Sequence, residues 1–317
     1  MSRPLPWSVV AALLWLPGAG EAAAQFAAPS AVVRTQPPTP TRGSAVWLEV
    51  QDDWSRNDQP RLMAVEGDAA GEPLHFESAE RGFVALLGVP VEGDDTLTIA
   101  LRLTRAEQVD SMTLALPVCR ASYPSERLRV PPRMVQYDSA ALARLESETA
   151  RAREVSRRAH ETPRLWSAPL LLPRNSRITS PYGGAREYNG RVTSRHTGTD
   201  FAGAVGTPVV AAARGVVALV ADFYLAGRAI YLDHGAGLVT GYFHLSQTSV
   251  AEGDTVAAGQ RIGAVGRSGR VTGPHLHWIL RYGSISLDPM TAVTLTSASP
   301  EAPAAPPSDP PSPCSAS

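Results

Sequence analysis

Two of the seven histidines of this 317-residue chain stand two residues apart, in Thr272-Gly273-Pro274-His275-Leu276-His277-Trp278. In extended backbone, residues two apart face the same side. His275 and His277 then aim into one space, while Leu276 and Trp278 pack on the opposite face. Paired imidazoles suit a metal, a proton-transfer site, or both. Upstream, His196-Thr197-Gly198-Thr199-Asp200 offers an imidazole and a carboxylate four residues apart. Gly198 and the two threonines disfavour a helix there, and a loop entering a strand can bring both groups to one ion. Zinc takes His nitrogen and Asp oxygen at about 2.0–2.2 Å, and a catalytic zinc keeps one position open for water. His277 completes a two-His, one-Asp set with His196 and Asp200.

A third string is Tyr242-Phe243-His244-Leu245-Ser246. Strand alternation predicts Tyr242 and His244 on one face and Phe243 on the other. His244 and His275 then need not be ligands. Beside a metal-acidified water, a neutral imidazole takes a proton and an N–H donor stabilises a developing oxyanion. Singly, each histidine is more simply a surface or hydrogen-bonded core residue; the weight lies in their joint occurrence. His234, at a Gly turn in Leu232-Asp233-His234-Gly235, reads as structural. His75 reads as a surface strand residue, and His160 as the exposed end of a helix.

Composition removes several rival chemistries. All 29 basic residues are Arg, so Schiff-base chemistry, Lys general bases and Lys-attached carrier groups are excluded. The last point rules out a lipoyl- or biotinyl-type carrier, whose barrel has a similar turn pattern to Val216–Leu219 and the Gly253/Gly259 hairpin. A formal charge of -1 gives no general electrostatic reason to bind nucleic acid. The two cysteines, Cys119 and Cys314, are too few for a Cys-rich zinc site. They leave both a bridge and two free thiols open.

The elements that must position these residues are mostly strands. Residues 1–24 read as a signal peptide, with Arg3, a short apolar run from Trp7 to Leu16, and a small-residue cleavage pattern ending near Ala24. That run is too short to span a bilayer, so a periplasmic or secreted product with no membrane anchor after cleavage is expected. Residues 25–41 read as a Pro/Ala/Thr linker. Residues 42–130 alternate like a small immunoglobulin-like β-sandwich. Residues 131–168 hold a helix capped by Asp138 or Ser139 and running to about His160, a strut with a thin apolar stripe. From 169 to 294, dense short strands with Gly turns leave no room for crossover helices, so the sheet should be mainly antiparallel, or barrel-like. Residues 295–317 read as a disordered Pro/Ser/Ala tail. The fold class is mainly β.

The segment from about Ile178 to Pro289 resembles the LytM, or lysostaphin-like, zinc metallopeptidases of peptidase family M23. The strings that carry the resemblance are Ser180-Pro181-Tyr182-Gly183, His196 to Asp200, Tyr242 to Ser246, Glu252-Gly253-Asp254-Thr255-Val256 with Gly259-Gln260, and Gly273-Pro274-His275-Leu276-His277. The resemblance implies one Zn2+ held by His196, Asp200 and His277. It implies His275 as general base and His244 as the group assisting or stabilising the tetrahedral intermediate. Tyr182 and Tyr242 would be substrate-groove residues or would pack under the site, and Arg186 to Arg195 would be a groove-edge loop in which Asn189 could cap the metal in a resting form. The implied activity is hydrolysis of peptide bonds in peptidoglycan stems or cross-bridges, with autoregulation or wall binding by residues 42–130. Some LytM-like domains have instead lost catalytic residues and activate a separate amidase. That alternative predicts substitutions at the five positions, and none is present.

Overall fold

Alternation builds the N-terminal strands. In Thr96–Thr104, Leu97, Ile99, Leu101 and Leu103 are buried, while Thr96, Thr98 and Arg102 are exposed. The computed structural model describes residues 25–27, 31–52, 60–190 and 192–297. Among these, a five-stranded sheet orders Gln25–Ala27, Ala31–Gln36, Ala45–Asp52, Gly82–Gly88 and Glu77–Ala79. A four-stranded sheet orders Glu72–Pro73, Ala64–Ala69, Thr96–Thr104 and Val109–Pro117. All their pairings are antiparallel. Val33, Leu48, Val50 and Leu87 of the first sheet share one apolar core with Val65, Ile99, Leu103 and Leu116 of the second.

The stretch expected as a linker over 25–41 is strand in part. Ala31–Gln36 buries Ala31, Val33 and Thr35 alternately and pairs with Ala45–Asp52. Its signal is short and bounded by prolines, and the neighbouring strand rather than local propensity settles it. The expected signal segment and the 298–317 tail lie outside the described residues. Cys119 is disulfide-bonded, and Cys314 lies outside the described residues. Among the described residues no helix is long and apolar enough to cross a membrane.

Helix α1, Ser139–Arg158, begins where expected: the Asp138 carboxylate accepts from Ala141 N at 2.7 Å. It is no free strut. Ala152 and Val155, with Ala159 just beyond, pack on Leu219, Phe223, Tyr231, Val239 and Ile279. The thin stripe suffices because small residues let the helix lie close on the sheet. Before it, Glu126–Leu128 pairs in parallel with Ala185–Tyr188, which continues antiparallel into Val192–Arg195.

The C-terminal sheet is ten-stranded and antiparallel in every pairing. Its centre runs Ile178–Ser180, Thr199–Ala202, His275–Tyr282, Leu238–Thr248, Gly227–Gly235 and Gly215–Phe223. One face buries Phe201, Ile230, Leu232, Tyr242, Leu276 and Trp278. The other is covered over part of its area by α1. The chain then makes an unpredicted helix α2, Pro289–Ser297. Its signal was Asp288-Pro289: Pro suits the first helical position, and Asp288 Oδ1 accepts from Met290 N at 2.9 Å. Ala292 and Leu295 of α2, with Leu280, Tyr282, Ile285 and Leu287, join the core of the N-terminal sheets. The two β regions therefore share one apolar interior.

Candidate metal centre

Register brings the chemistry together. Asp200 lies directly opposite His277 on the neighbouring strand. On the other side of that strand, Phe243 lies opposite His277 and stacks on its ring at 5.4 Å. His196 enters from the hairpin, its backbone tied by His196 N to Gly184 O and Gly183 N to His196 O. Gly198 is required for this approach: a Cβ there would stand 2.8 Å from Cε1 and Nε2 of His277.

Three ligand atoms converge, each buried. His277 Nδ1 lies 2.7 Å from Asp200 Oδ1, His196 Nε2 lies 3.1 Å from the same oxygen, and the two nitrogens are 3.0 Å apart. These residues can hold a metal ion. The Nδ1–H of His196 donates to Pro181 O at 2.7 Å. A carbonyl only accepts, so Nδ1 carries a proton, and Nε2 faces Asp200 and His277 with room for a second proton or a cation. A lone pair facing a carboxylate repels it unless a proton or a cation lies between. Tetrahedral bonds of about 2.0–2.2 Å would spread the donors to roughly 3.3–3.6 Å, an opening of a few tenths of an ångström. The donor set thus fits a divalent ion taking nitrogen and oxygen.

His275 and His244 stand beside this triangle. The Nδ1–H of His275 donates to Gly273 O at 2.8 Å, and its Nε2 faces Asp200 Oδ1 at 3.7 Å. The Nδ1–H of His244 donates to Ser268 O at 2.9 Å. The ring centroids of His244 lie 4.8 Å from His275 and 5.8 Å from His277. Simple alternation does not produce this. The pairing register shifts between Tyr242 and Leu245, and His244 has φ +62. The irregularity turns His244 to the side of Phe243 and His277 and leaves Tyr242 alone in the opposite core. A left-handed His is uncommon, and such strain concentrates at functional positions.

Burial dominates the electrostatics. It pushes Asp200 up, but His277 and His196 outweigh it and hold the carboxylate well below its ordinary range. Burial lowers His277 to about 4. Burial, then the neighbouring His277 and His275, hold His244 well below the usual imidazole value. His277 and His244 stay neutral at pH 7, the form that binds metal or accepts a proton.

Burial and hydrogen bonds fix the other expected positions. Tyr182 and Tyr242 are 1% and 0% exposed. Tyr182 donates to Ser286 O and Tyr242 accepts from Ala212 N. Both are enclosed in the interior and offer a groove no surface. Asn189 does not face the ligands; its amide exchanges two hydrogen bonds with the Val130 backbone. His75 and His160 are not free surface residues: they stack at 5.1 Å, and His160 Nε2 lies 2.9 Å from Glu72 Oε2. His234 is fully buried, with Nδ1 bonded to Arg214 O and Nε2 to Thr240. Sequence reasoning missed Arg186 and Glu126, which back the Asp200 carboxylate. An Arg in the loop before His196 was the only signal, and nothing in the sequence joined Glu126 to it.

The profile described as peptidase family M23 matches residues 194–289. Peptidoglycan DD-endopeptidase ShyA of Vibrio cholerae is 42% identical over 107 residues, 33% of this chain and 25% of that protein. DD-carboxypeptidase/endopeptidase Mpg of Neisseria meningitidis is 40% identical over 126 residues, 40% of this chain and 28% of that protein. The similarity thus spans about a quarter of the length of these curated relatives. A crystal structure from Pseudomonas aeruginosa, assigned provisionally to peptidase M23, is 25% identical with a TM-score of 0.61, covering 81% of this chain and 96% of its own. The C-terminal region, residues 194–289, thus matches peptidase family M23.

Proposed function

We propose that this protein is a zinc endopeptidase that cuts peptide bonds in peptidoglycan, in the periplasm or outside the cell. The observation that carries the reading is the convergence of His196, Asp200 and His277 beside two further imidazoles whose Nδ1 protons are tied to carbonyls. The names of the relatives supply the substrate class. His196, Asp200 and His277 would hold the zinc, which when bound would supply Lewis-acid polarisation of a carbonyl and a lowered pKa for water. His275 takes the proton from the attacking water at Nε2 and returns it to the leaving amine. His244 presents a lone pair while neutral and becomes an oxyanion donor only after gaining a proton. The two imidazoles act as one proton-holding pair.

The same proposal covers the N-terminal region. Its two antiparallel sheets over one core support an immunoglobulin-like sandwich. The segment after it reaches from Val130, on Asn189 of the hairpin, to Arg133, whose carbonyl accepts from Tyr224, and to Tyr137 beside Arg270. Residues 130–137 thus bridge the hairpin leading to His196 and the loops flanking His244, where they limit access for a large substrate.

Chelation should abolish wall digestion and zinc should restore it, with new amino termini identified by mass spectrometry of the released fragments. A metal-loaded protein that releases none, yet stimulates a separate amidase, would establish the regulator reading instead. Cutting the chain within 130–137 should speed digestion of intact wall more than that of a short stem peptide.

A further inference from the structure

The two oxygens of Asp200 are divided. Oδ1 faces the imidazoles, whereas Oδ2 accepts from Arg186 Nη2 at 2.6 Å. The guanidinium is nearly buried, its side chain 12% exposed. It also donates from Nη2 to Ser180 Oγ at 2.8 Å and from Nε to Glu126 Oε2 at 3.0 Å. Ser180 closes the ring by donating to Glu126 Oε1 at 2.5 Å, and its Oγ lies 3.1 Å from His196 Nδ1. Two of the three ligands are therefore fixed from behind by one network. Glu126 comes from the short strand between the N-terminal sheets and α1, directly opposite Arg186 in a parallel pairing. Arg186, Ser180 and Glu126 all precede the segment matched to the family.

We infer that Arg186, neutralised by Glu126, is a positioning residue for the metal-binding carboxylate, so that the connecting strand 126–128 completes the metal centre. The physical reason is charge and shape together. A guanidinium fork holds one carboxylate oxygen and frees the other to point at the metal. A lone guanidinium so close to a divalent ion would repel it and draw charge from Asp200. Glu126 shares that positive charge and leaves Asp200 its donor strength. Partners of this kind behind a ligand typically change metal affinity roughly 10- to 100-fold.

The inference rests on the metal reading, and the test separates the two. Zinc affinity is measured by chelator competition on the full chain, with the visible spectrum of the cobalt-loaded protein and the thermal midpoint of the metal-free protein. Failure of the unaltered protein to bind zinc or cobalt would overturn the metal reading itself. With binding established, Glu126→Gln keeps shape and hydrogen bonding but removes the charge. It should weaken zinc roughly 10- to 100-fold and alter the cobalt spectrum, with the metal-free midpoint little changed. Adding Arg186→Gln should restore part of that loss, since the unpaired positive charge is gone. Unchanged zinc affinity and cobalt spectrum in Glu126→Gln would overturn the inference. So would a loss matched by an equal fall in metal-free stability and not relieved in the double variant. Arg186→Lys, which keeps the charge without the fork, should bind zinc more weakly than the unaltered protein.

Discussion

Thr96–Thr104 in the N-terminal region and Leu238–Thr248 in the C-terminal region are both long strands, yet they bury themselves differently. The first alternates buried and exposed residues along its length, and the second is buried at every position from Leu238 to Leu245. A half-solvated strand announces which face is which. A strand covered on both sides hides its phase, and at His244 the register shift reverses it. Among the described residues, the N-terminal region buries Gln51, Glu72 and Arg105 but no histidine, while the C-terminal region buries Asp200, His196, His234, His244 and His277. Buried polar groups are tolerated only when mutually satisfied. The contrast gathers the buried imidazoles in one region, while both regions carry apolar core.

Asp200→Ala should break the chemistry outright, with metal lost and hydrolysis undetectable by dye-release from wall while the far-ultraviolet spectrum persists. His275→Ala should lower kcat by roughly 10²- to 10⁴-fold with zinc content retained; full activity would remove His275 from the mechanism. Leu48→Ala, in the N-terminal core, should cost about 2–5 kcal/mol in denaturant unfolding yet leave zinc affinity unchanged in the folded protein. A shift in affinity there would erase the division between the regions. His244→Gly should leave stability unchanged or raise it, by up to about 1–3 kcal/mol as backbone strain is relieved, while the rate falls.

The smallest effect concerns pH. Burial lowers the imidazoles of His234, His244 and His277, the last to about 4, and burial with His160 lowers His75. The unfolded chain takes up protons near the ordinary value of 6.5 while the folded chain does not. It therefore binds more protons below that value, and metal-free stability falls as pH drops through 6.5 toward 4. Calorimetry of the metal-free protein at pH 7 and pH 5 should show the lower midpoint at pH 5. An unchanged midpoint would mean those rings are not held neutral.

The C-terminal chemistry is legible in the sequence because strand periodicity and two short strings single out His196, Asp200, His275 and His277. The strand His275–Tyr282 lies where alternation placed it. Tyr242 does not share the face of His244 as alternation predicts, because a one-residue irregularity reverses the phase there and leaves no compositional trace. Glu126 was invisible because its partner lies sixty residues on, joined by a three-residue strand too short to carry a pattern. Ala31–Gln36 and α2 share that difficulty, since each is held by tertiary packing more than by local preference.

The shared interior has a consequence for how the chain is assembled. At Gly88, a methyl group would press on Leu287 and Tyr282, so the earliest sheet is lined by residues from near the other end. That sheet stays unfinished until those late residues arrive. Such closure over long sequence separations makes folding slow, and it makes the catalytic region hard to transplant onto another chain without resurfacing the seam.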